Sequence, residues 1–274
     1  MVMLFVLTFL FFDTMSTRDD RMRTGVAGRR LPKGVTPGGT AFEGLFRGAA
    51  STVAGGKVVN QDVCAHCDTP LGLVVMVCDG MGKGEYGHQA SLLAVQAIGN
   101  YLRACPETDD AAEAVREAVR MANRAIFDFG LTISNDEAAG MGATVAGLLL
   151  SADFAVAFHL GDCRIYQLHN GFVKYRSRDH SMNAALVEAR VMSEDEARMS
   201  PDRHLLVQAI GHTYDPEPGV RVLPYRRGDR FMLCTDGVWR AFRQSKLVET
   251  AADAPSPESA VSAILKGARE AVSK

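Results

Sequence analysis

The chain has 274 residues, 47% of them hydrophobic and 23% charged, with a formal net charge of −2. That length suits one large domain or two small ones with a substantial core, and so small a charge leaves no basic footprint for nucleic acid. Six cysteines over this length are no disulfide scaffold, which makes a reduced cytoplasmic protein the simplest account.

Met1 to Phe12 is uncharged and mostly Leu, Phe, Val and Met. It is shorter than the about 20 apolar residues that span a bilayer, and it lacks the basic start and cleavage site of a signal peptide. From Asp13 to about Gly39 the chain is rich in Arg, Gly and Pro, as in a tether. Residues 1–40 are therefore expected to lie outside the core as an apolar extension and flexible tether. A weak membrane anchor is the second reading.

Two strands follow. Cys64 and Cys67, the ends of a Cys-x-x-Cys, have no second ligand pair for zinc, and on a strand two positions three apart face opposite sides. Val74 to Cys78 is a buried strand running into Asp79-Gly80. Ala90, Leu93, Ala94, Ala97, Ile98 and Tyr101 then share one helical face, as do Val115, Val119, Ala122 and Ile126 in the next helix. Ala143 to Leu150, Phe154 to Leu160 and Arg164 to Leu168 read as strands, and Asn170-Gly171 as a hairpin turn before Phe172 to Arg176. Phe231 to Thr235 is another apolar strand, running into Asp236-Gly237. Val261, Ile264, Leu265, Ala268 and Val272 mark a last helix. Strands bracketed by helix pairs imply two stacked sheets with helices outside.

The two strands that end in Asp-Gly carry the chemistry. Each fixes a carboxylate at a sheet edge, and glycine lets the backbone turn there. Two such ends side by side suit divalent cations, which prefer carboxylate and carbonyl oxygens. An ordinary strand-ending turn would explain either copy alone.

The surrounding residues resemble the bacterial PPM family of metal-dependent serine/threonine protein phosphatases. Gly56-Lys57-Val58-Val59-Asn60-Gln61-Asp62 is similar to that family's opening Gly-x-Arg-x-x-Asn-Glu-Asp. Asp79-Gly80-Met81-Gly82, Met141-Gly142-Ala143-Thr144, Gly161-Asp162-Cys163-Arg164, Asp179-His180-Ser181 and Gly228-Asp229 through Asp236-Gly237 follow in the family's order. Any one of these recurs by chance, but the collinear set does not.

The resemblance implies an α+β fold, a four-layer α-β-β-α sandwich of two antiparallel sheets flanked by helices, over residues 41–274. It implies a flap at about 182–203 beside the active site. It implies hydrolysis of phosphoserine or phosphothreonine on partner proteins, such as those of a cognate kinase, with two Mn2+ or Mg2+ ions and a weaker third. Asp79 would bridge two ions, the Gly80 carbonyl would bind one and Asp236 the other. Asp62 would act through coordinated water, and Asp162 with Asp236 would hold the third ion. Lys57 would grip the substrate phosphate.

The departures from the family are specific. Lys57 replaces an arginine and loses its planar fork. Gln61 replaces a glutamate, and Lys83-Gly84 stands where the bacterial enzymes have Gly-His. His88, close by, reads as a surface or capping residue, and no general acid is assigned. The family's closing Gly-x-Asp-Asn-x-Thr strand, whose aspartate is a metal ligand, has no counterpart, which predicts a missing last strand and an open sheet edge. These changes keep a second function in view, a phosphatase-like binding protein with little turnover. A membrane-tethered interaction module is a third.

Overall fold

The structure, a computed structural model, describes residues 5–12, 40–42, 46–53, 60–108, 110–133 and 141–272. Its elements are β1 (Phe5–Phe12), β2 (Thr40–Phe42), β3 (Phe46–Val53), β4 (Asp62–Thr69), β5 (Gly72–Met81), α1 (Tyr86–Ala104) and α2 (Ala111–Thr132). There follow β6 (Gly142–Leu150), β7 (Phe154–Leu160), β8 (Arg164–His169), β9 (Phe172–Arg176), α3 (Met182–Glu188) and α4 (Glu194–Met199). The chain continues through β10 (Gly219–Pro224), β11 (Asp229–Cys234), α5 (Asp236–Ala241), α6 (Gln244–Asp253) and α7 (Pro257–Val272).

The strands form two antiparallel sheets, one ordered β2-β3-β1-β11-β8-β9 and the other β10-β7-β6-β5-β4. Three apolar clusters define four layers. Val75, Val77, Leu148, Ile165, Phe231 and Leu233 fill the space between the sheets. Val74, Met76, Ile98, Val119 and Phe158 join one sheet to α1 and α2, and Tyr166, Met232, Val238, Leu247 and Ile264 join the other to α5–α7. Alternate residues of one strand thus serve two cores, as the period of a strand requires. Cys64 and Cys67 obey the same rule, one packing between the sheets and the other beneath α1. The α-β-β-α sandwich is therefore present. Asn170 and Gly171 turn the β8–β9 hairpin with φ of 50° and 79°, as their sequence predicts.

The N-terminal run departs from expectation. Phe5–Phe12 is a strand, paired with β3 over its whole length and with β11 from Leu7↔Cys234 to Phe11↔Arg230. The physical reason is that β3 and β11 each present a row of backbone donors and acceptors that needs a partner. A long uncharged segment is what a strand in the middle of a sheet calls for. The open edge foreseen for a missing last strand is accordingly not at β11, which has β1 on one side and β8 on the other. The expected tether, residues 13–39, lies outside the described residues.

Candidate active site

Four of the expected carboxylates come together at one end of the stacked sheets. Asp62, near the start of β4, directly faces Asp79 across the β4–β5 pair. Asp162 follows the Gly161 turn after β7, and Asp236 opens α5 directly beyond β11. Asp62 and Asp162 are buried, whereas Asp79 and Asp236 keep some access to solvent. Thr235 joins the two sheets, its hydroxyl donating to Asp62 Oδ2 at 3.0 Å.

Glycine is required beside two of these carboxylates. Gly161 has φ of +100°, and a Cβ there would lie 2.3 Å from Thr144 Cγ2. A Cβ on Gly80 would lie 1.8 Å from the Gly87 carbonyl oxygen, so the start of α1 is pressed onto the end of β5, which does not turn at Asp79-Gly80 as expected but stays paired with β6 through Met81. Gln61 fixes the loop between them. Its side-chain amide donates to the carbonyls of Gly82 at 3.0 Å and Gly84 at 3.1 Å, while its own carbonyl accepts from Ser91 at 2.7 Å. A glutamate has no such donors, so the amide has a positive role here that sequence reasoning did not foresee.

The electrostatics are those of crowded anions. Burial first, then Asp62 and Asp236, push the Asp79 carboxyl well above the usual carboxylate range, with a hydrogen bond to Asp62 and the charge of Asp162 adding to it. Asp162 is pushed up to about 7 by burial and then by Asp236, against the pull of Arg240. Carboxylates held this close need a proton or a cation between them. Asp62 and Asp79 fit a divalent ion on that ground, as hard oxygen donors in a polar, partly open edge. Among the described residues no three ligand side chains surround a single point. An ion here would therefore complete its shell with backbone carbonyl and water oxygens.

Asp162 and Asp236 fit a third ion poorly, because a cation already lies between them. Arg240 Nη2 donates to Asp162 Oδ2 at 2.9 Å, and its Nε lies 3.1 Å from Asp236 Oδ2. The expected third-ion site is, in this structure, a guanidinium site. Lys57 lies outside the described residues, and Gly80 is a strand residue of β5 paired with Ala143.

Two of the family-like motifs, joined by Trp239 and His159, organise the rest. Arg164 grips Asp179 with two hydrogen bonds, 2.8 and 2.7 Å, and lies 3.5 Å over the Trp239 ring. The Trp239 indole donates to the Asp162 carbonyl at 2.9 Å. His180 stacks on His159 with ring centroids 4.7 Å apart and accepts from the Gly161 amide. The Gly-Asp-Cys-Arg and Asp-His-Ser segments are thus two halves of one scaffold beneath the carboxylates. Cys163, in place of the family's serine, sits 3.0 Å from the Thr144 hydroxyl. His88 is half-buried with its Nδ1 making no hydrogen bond, so it does not cap α1.

The expected flap consists of α3 and α4, largely exposed, its stem closed where Met182 N bonds to Leu205 O and Val207 N to His180 O. Between these helices and α5 lies a cavity of about 770 Å³. Its lining includes Arg164, Arg176, Arg178, Arg198, Arg203 and Arg240, with Trp239 on one wall.

Comparison with known proteins gives the same picture. The family model for protein phosphatase 2C matches residues 50–265. A protein of Streptococcus pyogenes described as protein phosphatase 2C-type is 32% identical over 197 residues, covering 69% of this chain and 77% of its own. The solved structure of the serine/threonine phosphatase Stp1 from Staphylococcus aureus superposes with a TM-score of 0.75 at 20% identity, covering 91% of this chain and 95% of that one. The catalytic domain of the serine/threonine phosphatase PstP, solved with two manganese ions, superposes with a TM-score of 0.68 at 24% identity, covering 85% and 90%. Since the family match runs from inside β3 to within α7 and takes in all four carboxylates, this chain belongs to the protein phosphatase 2C family of metal-dependent serine/threonine phosphatases.

Proposed function

We propose that this protein hydrolyses phosphoserine and phosphothreonine on partner proteins at the edge where Asp62, Asp79, Asp162 and Asp236 meet. The observation that carries this reading is the juxtaposition of Asp62 and Asp79, two carboxylates directly opposed on paired strands, with burial and then the charge of Asp62 raising the Asp79 carboxyl. Asp79 and Asp236 would hold the ions, Mn2+ or Mg2+, with the Gly80 carbonyl as a further donor and Asp62 acting through water. Such ions, when bound, lower the pKa of a water toward neutrality and neutralise phosphoryl oxygens. The protein's own part is to hold its carboxylates rigidly, through Thr235, Gln61 and the close contact of Gly80 with the start of α1. Lys57 would grip the phosphate as a point charge. No side chain is assigned as general acid.

The cavity beside the flap bears on the substrate. Seven arginines and four carboxylates line it, so its field favours an anionic segment. We read it as the seat of acidic residues flanking the phosphorylated one, on proteins phosphorylated by a cognate kinase. Among the described residues no helix is long and apolar enough to cross a membrane. The six cysteines are free thiols, which agrees with a cytoplasmic setting.

The test is hydrolysis of phosphothreonine peptides with defined Mn2+ and with chelator. Activity should vanish on chelation and return with Mn2+, and acid-flanked peptides should show the higher kcat/KM over lysine-flanked ones. Turnover unchanged by chelation would overturn the metal assignment, and equal kcat/KM for the two peptide sets would overturn the role of the cavity.

A further inference from the structure

Arg240 is placed by helical geometry. It lies four residues after Asp236 on α5, so its side chain returns along the helix over the residue that opens it. From there it reaches across to Asp162 on the other turn, and its side chain is only 7% exposed. The contact with Asp162 is a hydrogen bond at 2.9 Å, whereas that with Asp236 is a charge contact at 3.1 Å without hydrogen-bond alignment. Nη2 also donates to the Arg203 carbonyl at 2.8 Å, and Nη1 lies 2.7 Å from His204 Nδ1. The Trp239 ring lies 4.8 Å from the guanidinium carbon. A planar, permanently charged group held from several sides is the kind of cation that recognises two carboxylates at once.

We propose that Arg240 takes the place of a third divalent ion, serving as a built-in cation between Asp162 and Asp236. This rests on the reading of the edge as an ion-binding site but makes a claim that reading does not. A hard ion would need the same carboxylate oxygens at about 2.0–2.6 Å, where the guanidinium already stands, and the two cations would repel. The Arg203 carbonyl and His204 lie at the end of the flap segment and its stem, so the same guanidinium ties the flap to the carboxylate edge. That tie is present at any metal concentration, unlike one made through a weakly held ion.

The experiment counts Mn2+ bound to the full chain, by titration calorimetry and by the electron paramagnetic resonance signal of free Mn2+. The wild type, Arg240→Ala, Arg240→Lys, Asp162→Asn and Arg240→Ala with Asp162→Asn are compared. Arg240→Ala should gain one weak site that the wild type lacks, Arg240→Lys should not, and adding Asp162→Asn should abolish the gain. A gained site is something that mere loss of packing would not produce. Equal counts in wild type and Arg240→Ala would overturn the proposal. So would a site in the wild type that disappears in Asp162→Asn, a comparison that stands even if Arg240→Ala fails to fold. Asp79→Asn in the same titration tests the underlying reading separately, since that variant should lose Mn2+ binding whatever Arg240 does.

Discussion

At the scale of single residues, Asp79 is the most exposed test of the site. Asp79→Asn should lower phosphopeptide turnover at least about a hundredfold, the upper range seen when even an outer partner of a metal ligand is removed. Because the carboxylate is held among like charges, the metal-free variant should melt no lower than the wild type. A melting point well below it would show that Asp79 holds the fold rather than an ion. His180 gives a pH signature. Burial, then His159, lowers its pKa to about 4 against the pull of Asp179, with Arg178 lowering it further. Between that value and the usual 6.5 the unfolded chain binds a proton that the folded chain refuses. Its contribution to stability is therefore complete above pH 6.5 and is lost as the pH falls toward 4. Denaturation midpoints in that window should fall more steeply in the wild type than in His180→Asn, and parallel curves would refute it. Asp79 and Asp236 were legible because strand-then-Asp-Gly is a local pattern, and Asp62 and Asp162 only through the family resemblance. Arg240 was not, although its i,i+4 spacing from Asp236 was there to be read. Its meaning depends on Asp162, 78 residues away, and no spacing in the sequence announces that contact.

At the scale of elements, the decisive contact is α1 on the end of β5. Gly80→Ala would drive a methyl into the Gly87 carbonyl, and both atoms belong to backbone that cannot swing aside. Overpacking of this kind costs about 1–3 kcal/mol. The expected outcome is a loss of that size in urea denaturation together with weaker Mn2+ binding, because the strand end carrying Asp79 must shift. Unchanged stability would mean that α1 can slide. The long helices α1, α2 and α7 and most strands were legible from local pattern: the Ala90-Ala94-Ile98 stripe and the Asn170-Gly171 turn each carry their structure locally. The shorter α3 to α6 were not read from the sequence. Gln61 was not legible in the same way. Read as a lost charge, it proves to be a gained pair of donors to Gly82 and Gly84, because an amide and a carboxylate differ in what they can donate and not only in charge.

At the scale of the whole molecule, the reading that fell was that of the first twelve residues. A run too short for a bilayer and without neighbours in the sequence looks detached, but β1 is the strand that joins β3 to β11. Removing residues 1–12 should divide that sheet and expose two long edges, giving loss of cooperative unfolding and aggregation on size-exclusion chromatography. A truncated chain with an unchanged melting curve would restore the detached reading. Pairing of this kind is hidden from sequence because backbone hydrogen bonding is nearly indifferent to residue type, so the pattern does not name the partner. The position of β1 also sets a schedule for synthesis. Leu7 is made well before its partner Cys234, which follows 227 residues later. A nascent chain would carry an uncharged apolar strand with only one neighbour available for most of translation. Closing that pair is the kind of long-range contact that folds slowly and is prone to capture by other chains, so the yield of native protein should depend on chaperone supply and on temperature during expression more than its final stability suggests.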